Sequence, residues 1–270
     1  MNVIFYNGDF ISEKKINISH RNRAFNYGDG FFETIKVINS IPFNLNAHLK
    51  RIKYTSKLLS FDKIDIHKLV DHFDGIIKHN NIVSGVIKLH VSRVEGGLYF
   101  PHSNNFNIMI SIDSDISFKS NKSISLCFYK DIFKPKQNLS NLKSVNSIIY
   151  VLAAIYAKNN NYDDAILFNS DGNTIETSNS NIFILKNNII FTPPLIDGCL
   201  DGTMRKWVLS NNEIQERSIN ADDIINSDEV FISNARMGLV SVNKIENQKF
   251  SNDSMCVDLQ NKLINLSLDL

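Results

Sequence analysis

Apolar and polar positions along this chain change period many times. Val3-Ile4-Phe5-Tyr6 stops at Asn7-Gly8, so the chain opens on a short strand and a turn, with a second short edge near Phe10. After a polar stretch at 19–23, FNYGDGFFETIKVINSIPFNL reads as strand, glycine-rich bend, strand, turn at Asn39-Ser40 and strand. Leu49, Ile52 and Leu59 recur at helical spacing behind Asn46, a candidate cap. Ile66, Leu69, Val70, Phe73, Ile76 and Ile77 form the stripe of a second helix. VIKLHVS (86–92) and NIMISID (107–113) alternate as strands.

Residues 113–122 turn to Ser, Asp, Lys and Asn with little apolar content, which predicts a linker between a domain at 1–112 and another at 123–270. The second half begins with strand ISLCFY (124–129), and the apolar run after Lys143 predicts a helix over 144–158. Two hairpins follow, one turning at Ser170-Asp171-Gly172 and one at Asn187-Asn188. Gly202 precedes a helix carrying Trp207, Val208 and Leu209; strands EIQERSI and EVFIS, a hairpin near 238–246 and an amphipathic C-terminal helix complete the chain. Mixed elements with several hairpins predict an α+β protein of two domains.

Composition narrows the function classes. The 270 residues are 43% hydrophobic and 21% charged, with 29 Lys and Arg against 28 Asp and Glu for a net charge of +1. A balanced charge with no basic block argues against nucleic-acid binding. Cys127, Cys199 and Cys256 are scattered and odd in number, which fits neither a disulfide framework nor a metal cluster. The first residues lack the basic and apolar regions of a signal peptide, and no apolar run reaches spanning length, so a cytoplasmic protein without membrane or metal is expected.

Lys143 is the only charged side chain between Lys136 and Lys158. At the head of the expected helix it opposes the macrodipole by up to about 1 kcal/mol. A lysine among apolar neighbours holds more neutral amine, as Schiff-base chemistry requires. That chemistry predicts pyridoxal phosphate, with a phosphate site and a partner for the pyridine nitrogen. Gly202 before Thr203 and Met204 offers a helix N-terminus to an anion. Taken singly, Arg51 reads rather as a solvated helix arginine and Glu176 as an exposed strand carboxylate, and Lys143 has the alternative of a surface lysine at a helix start.

Together, six segments in order resemble the fold-type IV pyridoxal-phosphate enzymes, the class IV aminotransferases: NRAFNYGDGFFETIKV, FNLNAHLKRI, NLKSVNSIIYVLA, DGNTIETSNSNIFIL, TPPLIDGCLDGTMR and VFISNARMGLVSV. The resemblance implies a smaller N-terminal α/β domain and a larger mixed β/α domain with pyridoxal 5'-phosphate in the cleft, and a homodimer. It implies that Lys143 is the Schiff-base lysine and proton-transfer base. Glu176 would face the pyridine nitrogen, and Arg51, Thr203, Met204, Asn234 and Ala235 would hold the cofactor. Tyr27, Arg93 and Arg236 are candidates for substrate contact.

In motif detail the chain is most similar to 4-amino-4-deoxychorismate lyases, which release pyruvate to give 4-aminobenzoate for folate. Thr34 stands where branched-chain aminotransferases usually carry glycine and where the lyases carry a threonine that assists proton movement. Gly-Thr-Met-Arg and Asn234-Ala235 also resemble the lyase forms. The alternative is a branched-chain or D-amino-acid aminotransferase. Leu98 replaces an arginine that commonly binds a substrate carboxylate, and Ser147 a Tyr or Arg often found four residues after the lysine.

Overall fold

The computed structural model describes residues 2–115, 118 and 123–268. Two compact units emerge. The first spans Met1–Ser117 together with Lys143–Asn146, and the second spans Phe118–Leu142 and Ser147–Asp269. Of the expected linker at 113–122, Asp113 and Ser114 belong to a strand, and residues 116, 117 and 119–122 lie outside the described residues.

The first unit runs β1 (Val3–Tyr6), β2 (Asp9–Ser12), α1 (Arg23–Tyr27), β3 (Gly30–Ile38), β4 (Ile41–Pro42), α2 (Leu45–Leu58), α3 (Ile66–Asn80), β5 (Gly85–Arg93) and β6 (Phe106–Ser114). Its six strands form an antiparallel sheet in the order β2-β1-β6-β5-β3-β4. Ile38 faces Ile41 across a two-residue turn, with Asn39 and Ser40 at φ 50° and 64°. Both central residues are left-handed, as the tightest hairpin loops require. Asn44, also left-handed at φ 51°, starts α2 two residues before the expected cap at Asn46.

Phe31, Ile35 and Val37 of β3 pack with Ile52 of α2, Leu69, Phe73 and Ile76 of α3, and Ile87 and Leu89 of β5. Glu33 falls in the same period-two row as Phe31, Ile35 and Val37 and is only 1% exposed. An ionised carboxylate there must be compensated. Arg51 Nε donates to Oε1 at 2.7 Å, a terminal Arg51 nitrogen donates to Oε2 at 2.6 Å, and His48 Nδ1 lies 2.7 Å from Oε2. His48 and Arg51 lie three residues apart on α2, so one helical face supplies both partners.

The second unit contains β7 (Ile124–Lys134), α4 (Ile148–Asn159), β8 (Asp164–Asn169), β9 (Thr174–Thr177), β10 (Asn181–Lys186), β11 (Ile189–Thr192), α5 (Thr203–Asn211), β12 (Ile214–Glu216), α6 (Ala221–Ile225), β13 (Glu229–Asn234), β14 (Gly238–Ile245), β15 (Gln248–Lys249) and α7 (Ser254–Leu268). The sheet order is β12-β11-β10-β13-β14-β7-β8-β9, and β9 also pairs with β10, so six strands close into a ring. The closing pair is Glu176 with Asn181. Leu126 and Ile166 join one apolar cluster while Cys127, Ala165 and Leu167 join another, so successive residues serve the two faces.

The helix expected over 144–158 begins instead at Ile148. Residues 143–145 are taken by the edge of β3. Phe32 N donates to the Lys143 carbonyl at 3.0 Å, Val145 N donates to the Gly30 carbonyl at 3.1 Å, and Ser144 bridges Phe31. Lys143 therefore sits in extended backbone ahead of the helix, and the dipole conflict read from the sequence does not arise. On α4 itself, Ala153 and Ala157 face the sheet while Ile148, Val151 and Ile155 are exposed.

Burial opposes ionisation of Glu33, but the Arg51 charge and the hydrogen bonds from Arg51 and His48 outweigh it and hold the carboxyl at about 2, below its ordinary 4.5. A depressed carboxyl contributes stability that is full above pH 4.5 and disappears as pH falls through about 2. Glu33→Gln is expected to cost on the order of 3 kcal/mol at neutral pH. Urea titrations at pH 7, 4 and 3 should show the gap from wild type narrowing; a gap independent of pH would contradict this role for Glu33.

Candidate active site

Strand β3 presents Phe32 and Thr34 on the face opposite Glu33, because side chains alternate. Lys143 Nζ lies 4.5 Å from the centroid of the Phe32 ring, and Phe32 in turn stacks on His90. The lysine is half-buried, and its backbone is pinned to β3 on both sides of Ser144. Thr34 is two residues along the same face. Burial lowers the His48 pKa, aided by the charges of Arg51 and Lys143 and opposed by Glu33. A neutral His48 donates its Nδ1 proton to Glu33. Arg51 has Nε and one terminal nitrogen spent on Glu33, which fixes the plane of its guanidinium.

The glycine-rich bend before β3 has a mechanical explanation. Gly28 closes α1 at φ 64°, and a Cβ there would come within 2.1 Å of Asn146 Oδ1. Asn146 Nδ2 donates to the Gly28 carbonyl at 3.0 Å, so the close approach is a second tie on the Lys143 segment. Asp29 accepts from Arg23 Nε at 2.8 Å and from Arg93 Nε at 3.0 Å. Arg23 also donates to the Gly96 and Leu98 carbonyls, tying down the following loop.

Arg93, expected as a substrate contact, has a different employment. It is buried, stacks 4.3 Å above Phe61, and donates to Asp29, Asn104 Oδ1 and the carbonyls of Leu59 and Ser60. With four of its five N–H donors on protein acceptors, Arg93 holds loops together. Tyr27 lies under Arg23, its ring 5.8 Å from that of Tyr99. Leu98 is 74% exposed.

In the second unit, Glu176 is not the exposed strand carboxylate that composition allows; it is 2% exposed. Its Oε1 accepts from Lys134 Nζ and, at 3.0 Å, from the Tyr150 hydroxyl; its Oε2 accepts from Leu200 N at 2.8 Å. The Leu200 carbonyl accepts from Asn181 Nδ2 at 2.9 Å. The ring-closing pair Glu176–Asn181 thus grips both polar groups of Leu200 and sets the approach to α5. A Cβ on Gly202 would meet Asn181 Oδ1 at 1.9 Å, so only glycine fits that approach. Gly202 is the N-cap of α5 and brings no side-chain cap of its own, and Thr203 and Met204 form the buried first turn. Asn234 spends its side chain on the β13–β14 turn: Oδ1 accepts from Arg236 N at 3.0 Å and Met237 N at 2.9 Å, and Nδ2 donates to Ser180 Oγ at 2.9 Å. Ala235 is half-buried in that turn, and the Arg236 side chain is exposed.

Lys134 and Tyr150 escaped the sequence reading. Lys134 lies in a run of lysines and prolines, Tyr150 in an apolar helix, and nothing local links either to Glu176. Among the described residues no three His, Cys, Asp or Glu side chains are grouped to hold a metal, and no helix is long and apolar enough to cross a membrane.

Relatives agree with this architecture. The chain is 25% identical over 275 residues to the aminodeoxychorismate lyase of Bacillus subtilis, covering 93% of this chain and 89% of that protein. It is 25% identical over 270 residues to a D-alanine aminotransferase of Staphylococcus epidermidis, covering 92% and 90%. The crystal structure of the branched-chain aminotransferase of Thermoproteus uzoniensis with norvaline superposes with a TM-score of 0.92 at 19% identity, covering 99% of this chain and 95% of that one, and so shares the fold. The model of the family described as amino-transferase class IV matches residues 30–245. Enzymes of this family use pyridoxal phosphate. The strand that carries Lys143's anchor, the ring that buries Glu176 and the glycine before α5 all fall within the match, and the chain belongs to the class IV aminotransferase family.

Proposed function

We propose that this chain is a pyridoxal 5'-phosphate enzyme acting as a 4-amino-4-deoxychorismate lyase. The observation that carries the lyase reading is Thr34, a hydroxyl on the same face of β3 as Phe32, whose ring lies under the Lys143 amine. Sequence identity does not rank the activities, since the lyase and the D-alanine aminotransferase relatives stand at the same 25%.

The residues suit the cofactor. Lys143 offers an amine whose backbone is fixed, and Glu176 a buried carboxylate that accepts from three donors and has room for a fourth. The phosphate contacts we propose are the guanidinium of Arg51, oriented by Glu33, and the N-terminus of α5 at Thr203 and Met204. The Asn234–Ala235 turn adds backbone groups, with the Asn234 side chain shaping the turn. When bound, the cofactor supplies an electron sink for charge that develops at the carbon bearing the substrate nitrogen. Lys143 Nζ removes the proton from that carbon, and the Thr34 hydroxyl relays a proton toward the departing enolpyruvyl group. Arg236, exposed on its turn, takes over a substrate carboxylate that Leu98 does not bind, Arg93 being buried against Asp29, Asn104 and two loop carbonyls. The homodimer expected from the resemblance is supported by the exposed apolar stripe Ile148, Val151 and Ile155 on α4.

Wild-type protein reconstituted with pyridoxal phosphate should acquire visible absorbance, and Lys143→Ala should not; colour retained in that variant would refute the assignment of the lysine. Aminodeoxychorismate alone should yield pyruvate and 4-aminobenzoate. Turnover that demands a 2-oxo acid acceptor would instead establish the transaminase. In the same assay Thr34→Val should lower kcat on the order of 100-fold, and Arg236→Ala should raise KM about tenfold with little change in kcat. Sedimentation should give twice the chain mass, with Val151→Glu shifting the protein to monomer; a monomeric wild type would remove the dimer.

A further inference from the structure

Lys134 ends β7 and is 5% exposed, so its ammonium needs an explanation beyond solubility. It donates to Glu176 Oε1 and, at 2.5 Å, to the Tyr150 hydroxyl, which donates in turn to the same Oε1 at 3.0 Å. Burial and the adjacent Glu176 charge push the Tyr150 pKa well above the ordinary tyrosine value, so that hydroxyl keeps its proton and remains a donor. The three side chains come from β7, α4 and β9 and form a closed triangle on one carboxylate oxygen.

That triangle makes the two oxygens of Glu176 unequal. Oε1 is filled by two side-chain donors, whereas Oε2 accepts a single peptide N–H from Leu200. A carboxylate has about four acceptor positions, so the remaining one lies on Oε2. A cation beside one oxygen of a carboxylate in general favours the ionised form. A proton shared through Oε2 would therefore rest on the partner group.

We propose that Lys134, with Tyr150, is the positioning residue of the site: it presents Glu176 through Oε2 as an ionised carboxylate, so that the shared proton rests on the pyridine nitrogen. This rests on the cofactor reading above. A lysine acting through Glu176 differs from one that only neutralises a buried charge, because its removal changes the protonation of the ring as well as the stability of the protein.

Apoprotein of wild type, Lys134→Met, Lys134→Arg, Tyr150→Phe, Glu176→Gln and the Lys134→Met/Glu176→Gln double variant is reconstituted with pyridoxal phosphate labelled with 15N in the ring. Ring-nitrogen chemical shift and cofactor affinity are then measured, with apoprotein melting as the control for folding. The wild-type shift should be that of a protonated ring. Lys134→Met should move it toward the neutral ring and weaken binding on the order of tenfold. Lys134→Arg should restore most of both, Tyr150→Phe should shift in the same direction by less, and the double variant should match Glu176→Gln alone. A Lys134→Met protein with lowered melting but unchanged ring shift and affinity would overturn the proposal. Should that variant not fold, an unchanged ring shift in Tyr150→Phe would overturn it. Wild-type apoprotein that takes up no pyridoxal phosphate would overturn the cofactor reading and this inference together.

Discussion

Burying Glu33 in the middle of β3 decides what its neighbours can do. The carboxylate must be met by donors from a rigid element, and α2 provides His48 and Arg51 three residues apart. Such a buried pair contributes little net stability once desolvation is counted; its consequence is positional. With Glu33 committed to the α2 side, alternation assigns Phe32 and Thr34 to the other face. The peptide groups of Gly30 and Phe32 then receive the backbone of 143–145, bringing a lysine from far along the chain onto that face.

The second unit solves a similar problem with different donors. Glu176 is also a carboxylate on a buried strand, but it sits where the ring closes, and its partners are a lysine, a tyrosine and a peptide N–H. Because Asn181 opposite holds the carbonyl of the same Leu200, strand pairing, loop path and helix start are coupled. Gly202 follows from that coupling, since Asn181 fills the space that a side chain would need.

Local signals carried much of the fold. The alternation in β3, β5 and β6 and the helical stripe of α3 appear in the structure at close to the expected positions. The hairpin turns at Asn39-Ser40 and Asn187-Asn188 are legible because Asn tolerates positive φ. The start of α4 was not legible. Lys143 to Ser147 looks helical in composition, and what holds 143–145 extended is a strand edge more than a hundred residues earlier. The partners of Arg93 were not legible either: the resemblance offers it as a substrate contact, while the carbonyls that accept from it belong to Leu59 and Ser60 in a distant loop.

The sequence by itself determined the elements whose cause is local: strand period, turn chemistry, the helical stripe and the order of motifs that marks the family. It also named Lys143, Glu176 and Arg51 as residues of interest: Lys143 because charge amid uncharged neighbours is visible in one dimension, and all three through the order of motifs that marks the family. Which atoms those charges meet was decided only by the tertiary structure. Glu33 with Arg51, Lys143 with Phe32, and Lys134 with Glu176 are contacts between segments whose separation in the chain carries no pattern. Burial then makes each contact matter, because a charge removed from water must find its partner wherever the fold brings one.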